Sequence, residues 1–306
     1  MKTTITVLMS TYNGTKYLRE QIDSILNQKD VEVRLIVRDD GSKDDTVKLL
    51  KEYQDSHKNI IIEKTNSNLG PCGSFLLLIS KYKDDEYFAL ADQDDIWDED
   101  KLVTAIRMIK KNESNELPVL YYSNLRIVSE DGEFCRVSHK TPHIGHNRYS
   151  ALIENLATGC TIVYNKRLAE IAVQVKPTKY LMHDAWLYAV AKVFGKTVYD
   201  FQPHISYRQH GNNQIGTYER RINLKKVCQE FNSIARNNMP WSHNADIFEK
   251  QFSAWLNEEE KRKIEKIVKY HKNIKYKVEL IFDKDFYPDN IYRKCRLMVE
   301  IIFNWL

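Results

Sequence analysis

The chain has 306 residues, a formal net charge of +4, and 42% hydrophobic and 29% charged residues. That balance excludes a disordered chain, and no apolar run of about 18 residues exists to form a transmembrane helix. The positive excess is confined to the end: residues 218–306 hold 18 Lys and Arg against 13 Asp and Glu. This argues against nucleic acid as the partner of the main domain and leaves an anionic membrane surface as a partner for the tail.

The first residues, Met1 to Met9, read as a strand rather than a signal peptide. Five scattered cysteines, Cys72, Cys135, Cys160, Cys228 and Cys295, lack zinc-site spacing and fit a reduced, cytoplasmic protein.

Strand and helix patterns then alternate. Ile5 to Met9 is a strand, and Leu18, Ile22, Ile25 and Leu26 share one helix face. Val33 to Val37 is a second strand, followed by the turn Asp39-Asp40-Gly41-Ser42. Ser42 with Asp45 three residues on predicts a capping arrangement for a helix carrying Val47, Leu50 and Tyr53. Ile60 to Ile62, a helix over Phe75 to Tyr82, and the apolar strand Tyr87 to Ala91 follow. A helix with Leu102, Ile106 and Ile109 inward leads to a strand from Val119 to Val128, ending at Asp131-Gly132. Gly159 to Tyr164 reads as a strand, His183 to Tyr188 opens a helix, and Lys196 to Tyr207 holds one or two strands. Beyond residue 218 the pattern is helical and charged, with one long solvated helix over Glu258 to Lys277. Strands spaced by helices predict a largely parallel sheet, residues 1–217, with a helical region over 218–306.

Ligands of such sheets bind beyond the carboxyl ends of the strands. Three polar clusters fall there: Ser10-Thr11-Tyr12-Asn13-Gly14, Asp39-Asp40-Gly41-Ser42 and Asp92-Gln93-Asp94-Asp95. Clustered carboxylates repel unless something positive lies between them, and hard divalent cations prefer their oxygens. Asp95 and Asp98 are expected to cap the helix that begins near Lys101.

These three clusters, with Asn68-Leu69-Gly70 and the extension Asp94-Asp95-Ile96-Trp97, resemble glycosyltransferase family 2. The resemblance continues through Gly159-Cys160 and His183-Asp184 to His210, about two thirds of the chain. It implies a GT-A fold, an α/β Rossmann-like, mostly parallel sheet flanked by helices, with the C-terminal helical region as an extension. It also implies a nucleotide-diphosphate sugar donor. Ser10, Thr11, Tyr12, Asn13, Asp39, Asp40, Asn68 and Gln93 would hold the nucleotide. Asp40, with Asp39 as the second choice, would accept from the imide N–H of uracil or thymine, and Tyr12 would stack on the base. The competing roles are an Asx turn for Asp39 and a core position for Tyr12.

Asp94 and Asp92 would act through manganese or magnesium, Asp94 touching it directly and Asp92 either through water or by reaching the ribose, with His210 as a further ligand. Arg208 would pair with a phosphate. The resemblance makes Asp184 the general base, against an N-cap role for the helix behind it. It gives His183 no role. His139, His143 and His146 form another cluster without metal-site spacing.

The stretches Ala91 to Trp97 and Tyr207-Arg208-Gln209-His210-Gly211-Asn212-Asn213 are similar to bacterial rhamnosyltransferases. That likeness implies dTDP-L-rhamnose as donor and a lipid-linked glycan as acceptor. The basic, partly apolar stretch Ile291 to Leu306 is then either a peripheral membrane helix at the inner face of the membrane or a helix packed on this chain or a second copy. Another UDP-sugar transferase of the same fold is the alternative. A sugar nucleotidyltransferase is the rival class, but Thr11 to Thr15 lacks its glycine-rich, basic phosphate loop. A non-catalytic glycan- or nucleotide-binding protein is the third, and Asp92, Asp94 and Asp184 speak against it.

Overall fold

The computed structural model describes residues 2–63, 67–114, 116–139, 147–173, 175, 181–210, 240–286 and 291–306. His143, His146, Cys228 and the Gly211-Asn212-Asn213 stretch lie outside them. The chain divides into two compact units. One comprises Met1–His143, Leu156–Pro177 and Met182–His210; the other comprises Ile144–Asn155, Thr178–Leu181 and Gly211–Leu306.

The first unit is built on a nine-stranded sheet in the order β3-β2-β1-β4-β8-β6-β9-β5, with β7 on the free side of β6. Its strands are β1 (Thr3–Thr11), β2 (Val31–Asp39), β3 (Ile60–Glu63), β4 (Tyr87–Ala91), β5 (Ile96–Trp97), β6 (Val119–Val128), β7 (Phe134–Val137), β8 (Val163–Asn165) and β9 (Lys196–Arg208). The first four are parallel, as the βαβ pattern predicts. The rest correct the expectation of a largely parallel sheet. β8 runs antiparallel to both β4 and β6, β5 is antiparallel to β9, and only β6 and β9 pair in parallel. β4 is buried at all five positions, so its apolar run is continuous rather than alternating.

Helices α1 (Thr15–Leu26), α2 (Thr46–Ser56), α3 (Gly70–Lys81), α4 (Lys101–Lys110), α5 (Lys166–Ala172) and α6 (His183–Phe194) complete this unit. α1 buries Leu18, Ile22 and Ile25, and α4 buries Leu102, Ala105, Ile106 and Ile109, each at helical spacing. The start of α3 uses Gly70 at φ 67° and a proline in the first turn, a combination that breaks the chain direction and then fixes helical φ.

Three local expectations fail. Ser42 does not cap α2; its hydroxyl bonds Asp39 instead, and the Asp45 side chain makes no cap bond. Residues 159–161 form a single 3-10 turn before the short β8. Asp95 and Asp98 do not cap α4 with their carboxylates. Asp98 forms a two-bond ion pair with Arg126, 2.9 Å at each oxygen, and Asp95 is buried in the site described below.

In the second unit, α7 (Pro240–Phe252), α8 (Glu258–Lys269), α9 (Ile274–Phe282) and α10 (Ile291–Ile302) are the described helices. A capping box between Asn257 and Glu260 starts α8. The long helix expected over Glu258 to Lys277 is two helices. Asn273 interrupts it, its carboxamide oxygen accepting from the backbone N–H of Lys275 at 3.0 Å and Tyr276 at 3.4 Å, which starts α9 afresh. α10 buries Leu297 and Ile301, and the backbone N–H of Leu306 donates to the Tyr270 hydroxyl at 2.9 Å. Arg148 pairs with Glu260 and Arg293 with Glu154, which explains why residues 144–155 belong with these helices.

One close approach sets the link from α6 to β9. The backbone N–H of Lys196 donates to the Pro118 carbonyl at 2.9 Å, and a Cβ on Gly195 would overlap that carbonyl oxygen. A backbone carbonyl cannot swing aside as a side chain can. Gly195→Ala is expected to cost about 2–3 kcal/mol, read as a lower midpoint in denaturant unfolding. An unchanged midpoint would mean that the joint relaxes freely.

Candidate active site

The carboxyl ends of β1, β2 and β4 are laced together by side chains. Thr11 donates its hydroxyl to Asp39 at 3.0 Å, and Asp39 also accepts from the backbone N–H groups of Gly41 and Ser42. Asn13, at φ 49°, donates its N–H to the Ser42 hydroxyl and accepts from the N–H of Lys43, 2.8 Å each. Gln93 closes the third side: it accepts from the N–H of Tyr12 at 2.8 Å and donates to the Tyr12 carbonyl at 3.1 Å. A Cβ on Gly14 would overlap the Gln93 carboxamide, so a side chain there would have to displace that contact. Three segments distant in sequence thus become one rim, with the Tyr12 ring exposed on it.

Asp39 therefore makes the Asx-turn contacts that competed with its nucleotide role. Asp40 is more deeply committed. It is ion-paired with buried Arg38 and accepts from the N–H groups of Leu69 and Gly70 at 2.8 Å. Asn68 donates to the Asp40 carbonyl at 2.7 Å. Arg38 also donates to the Ser74 hydroxyl, so the second turn is anchored from below. Ser10 lies at the end of β1 in register with Arg38.

The acidic motif splits into an outward and an inward half. Asp94 faces His210, with Nε2 and Oδ2 2.8 Å apart, and the His210 ring stacks on Tyr17. Asp95 points inward and is wholly buried. It accepts from the Arg208 backbone N–H at 3.3 Å, and its other oxygen has no hydrogen-bond partner among the described residues. Asp92, Asp95 and Cys160 present their ligand atoms within 4.8 Å of one another.

Beneath them lies Lys101, also wholly buried, its ammonium 3.4 Å from the centre of the Trp97 ring. Among the described residues that ammonium has no hydrogen-bond partner. Burial pulls it down to about 7, against the opposing pull of Cys160, Asp95 and Asp92. A buried amine that takes up its proton only below about 7 thus sits beside the acids, and it is a side chain of the protein. Burial, then the charges of Asp94 and Asp184, push the Asp92 carboxyl up to about 7, and burial likewise drives Asp95 well above the usual carboxylate range.

Asp184 opens α6, accepting from the N–H of Ala185 at 2.7 Å. It is near enough to Asp92 to raise it, so the expected base and the acidic motif share one site. Gly159 makes the room: a Cβ there would lie 3.2 Å from His183 Nε2 and 3.7 Å from the Asp184 Cβ. His183 is buried and stacked on Phe75 at 4.1 Å between ring centres. Burial lowers its pKa, so it is held neutral behind Asp184.

Arg208 is occupied within the protein. Its guanidinium pairs with Glu20 and donates to the carbonyls of Glu130 at 2.7 Å and Asp94 at 3.2 Å; it also lies over the Tyr17 ring. In this arrangement it fixes the Asp94 backbone. Sequence reading missed Lys101, Cys160 and Arg38 as parts of the site. The available signal was Trp97 and Lys101 at i,i+4 beside a helix start.

Two cis ligands of a divalent cation bound at about 2.1 Å lie about 3 Å apart. His210 Nε2 and Asp94 Oδ2 have that separation, so this pair fits two positions on a divalent cation, whereas the Asp92 carboxylate groups with Asp95 and Cys160. The inward half, with its own ammonium, does not call for one.

Residues 6–170, more than half of the chain, match the family described as Glycosyl transferase family 2. The chain belongs to glycosyltransferase family 2. It is 32% identical over 219 residues to the dTDP-rhamnosyl transferase RfbG of Shigella flexneri, covering 68% of this chain and 73% of that one. It is 27% identical over 168 residues to the UDP-Glc:alpha-D-GlcNAc-diphosphoundecaprenol beta-1,3-glucosyltransferase WfgD of Escherichia coli, 54% of this chain and 61% of the other. Among solved structures, S. aureus TarS 1-349 in complex with UDP-GlcNAc aligns over 100% of this chain and 80% of its own. The TM-score is 0.58 at 15% identity, a likeness of fold. The GT-A architecture expected for this glycosyltransferase is therefore present, with a mixed sheet.

The raised Asp92 carboxyl gives a pH dependence. Below about 7 a proton occupies the Asp92 oxygen that a cation bound through this carboxylate would need. Mn2+ affinity, measured by calorimetry, is expected to fall by up to about tenfold for each pH unit below that point and to level off above it. An affinity constant from pH 5.5 to 8 would contradict this.

Proposed function

We propose that this glycosyltransferase moves L-rhamnose from dTDP-β-L-rhamnose to a hydroxyl of a glycan carried on an undecaprenyl-diphosphate lipid, with inversion, giving an α-rhamnoside. The observation that carries the donor is the 32% identity to a dTDP-rhamnosyl transferase across more than two thirds of both chains. The WfgD likeness, to an enzyme named for a diphosphoundecaprenol acceptor, supports the lipid carrier.

Tyr12 stacks on the thymine from the exposed rim, and the Asp39–Asp40 turn meets its imide edge through Asp40 or Asp39. Ser10, Thr11, Asn13 and Asn68 shape the nucleotide side. Gln93 acts by holding Tyr12. Asp94, Asp92 and His210 would hold a manganese or magnesium ion, which would neutralise the charge that grows on the departing diphosphate. Arg208 keeps Asp94 in place.

Asp184 takes the proton from the acceptor hydroxyl as its oxygen bonds to the anomeric carbon and the bond from that carbon to the diphosphate breaks. Neutral His183 behind it adds no competing charge. The contacts of Asp184 support this role: its carboxylate takes one backbone N–H and shares its site with Asp92.

A UDP-hexose donor is the second reading, favoured by the UDP-Glc specificity in WfgD's name. Transfer assays over dTDP-rhamnose, UDP-glucose, UDP-galactose and UDP-GlcNAc, each with and without chelator, decide between them. Release of dTDP from dTDP-rhamnose alone, abolished by chelator, is expected. Turnover of UDP-sugars with none of dTDP-rhamnose would overturn the donor. Asp184→Asn is expected to lower kcat about 10²–10⁴-fold while leaving donor affinity within a few-fold. Wild-type turnover in that variant would remove Asp184 as the base.

A further inference from the structure

Helix α9 carries Ile274, Val278 and Phe282 at four-residue spacing, hence on one face. All three are exposed, Ile274 at 75% and Phe282 at 71%. Exposed Ile302 and Phe303 adjoin them, since the Lys277 ammonium of α9 donates to the Ile302 carbonyl at 2.9 Å. Five large apolar side chains in one region exceed the scattered exposure normal for a protein surface.

The charges around them are sorted. Glu279 and Asp283 pair with Lys266 of α8, and Asp285 pairs with Lys263, all turned toward the helix bundle. Lys272, Lys275 and Lys284 are exposed and have no ion-pair partner among the described residues. The acids of this stretch are neutralised inward while its free cations flank the apolar row.

We propose that this face of α9, with Ile302 and Phe303, docks on an anionic lipid surface. Phe282, Val278 and Ile274 enter the boundary between headgroups and acyl chains, and Lys272, Lys275 and Lys284 meet the headgroup phosphates. Charge chooses this occupant over a second copy of the chain: a symmetric contact would set each lysine cluster against its own image. The lysines would oppose that contact and favour an anionic surface. The tail helix α10 contributes only its last residue, Ile302, to this face, since Leu297 and Ile301 are buried within the unit. The proposal rests on the lipid-linked acceptor for its purpose, yet it is read without sugar transfer, so either can fail alone.

The test is co-sedimentation of the full chain with vesicles of phosphatidylcholine alone or with 30% (about one lipid in three) phosphatidylglycerol. Binding to the anionic vesicles only is expected, weakened by salt. The triple variant Ile274→Ser, Val278→Ser, Phe282→Ser is expected to lose about tenfold or more in partitioning; its sites are exposed, and circular dichroism checks its fold. Equal partitioning of variant and wild type, or equal binding to neutral vesicles, would overturn the proposal. So would a variant that changes the mass measured by light scattering while vesicle binding is kept, because the face would then be a contact between copies.

Discussion

Four carboxylates, Asp92, Asp94, Asp95 and Asp184, share one site, and their mutual repulsion is the constraint around which the rest is arranged. Each is offset differently. Lys101 lies buried under Asp92 and Asp95, His210 faces Asp94, and the backbone N–H of Ala185 meets Asp184. What remains uncompensated appears in Asp92, which is held protonated to about 7 by burial and by its acidic neighbours. A site in that condition gains from a divalent cation and loses from a proton.

The sheet supplies the placement. Parallel β1, β2 and β4 end at one edge, and the Gln93, Asn13, Ser42 and Asp39 contacts turn three loops into a single rim. The antiparallel half brings the other participants. β9 ends at Arg208, two residues before His210, while the turn before β8 delivers Cys160 and leaves space at Gly159 for the His183 ring behind Asp184. Preorganisation of this kind does not have to be made at the moment of reaction, which is the condition for electrostatic catalysis.

Much of this was legible in the sequence, and the reasons are physical. The first four strands and their helices follow from local periodicity, and motifs at strand ends converge because parallel strands share a direction. The family resemblance named Asp94 and His210 as ligands of one cation, and the two side chains lie 2.8 Å apart. Local pattern could not give the reversal at β8 or the two-residue β5, since strand order depends on partners far along the chain. The inward turn of Asp95 and Lys101 ran against the ordinary rule that charged residues stay solvated. Arg208 shows the same limit: its charge suggested a phosphate, but the identity of its neighbours Glu20 and Glu130 is tertiary information. Asn273, by contrast, was readable as a cap and was passed over for the charge periodicity around it.

The proposed reaction requires the outward half of the acidic site to hold a cation that in turn binds a nucleoside diphosphate. Calorimetric titration of dTDP into the wild-type chain and into Asp94→Asn, each with and without Mn2+, tests it most directly. The account predicts metal-dependent binding in the wild type that is lost in the variant. Equal binding of dTDP with and without metal, or undiminished metal-dependent binding in Asp94→Asn, would contradict it.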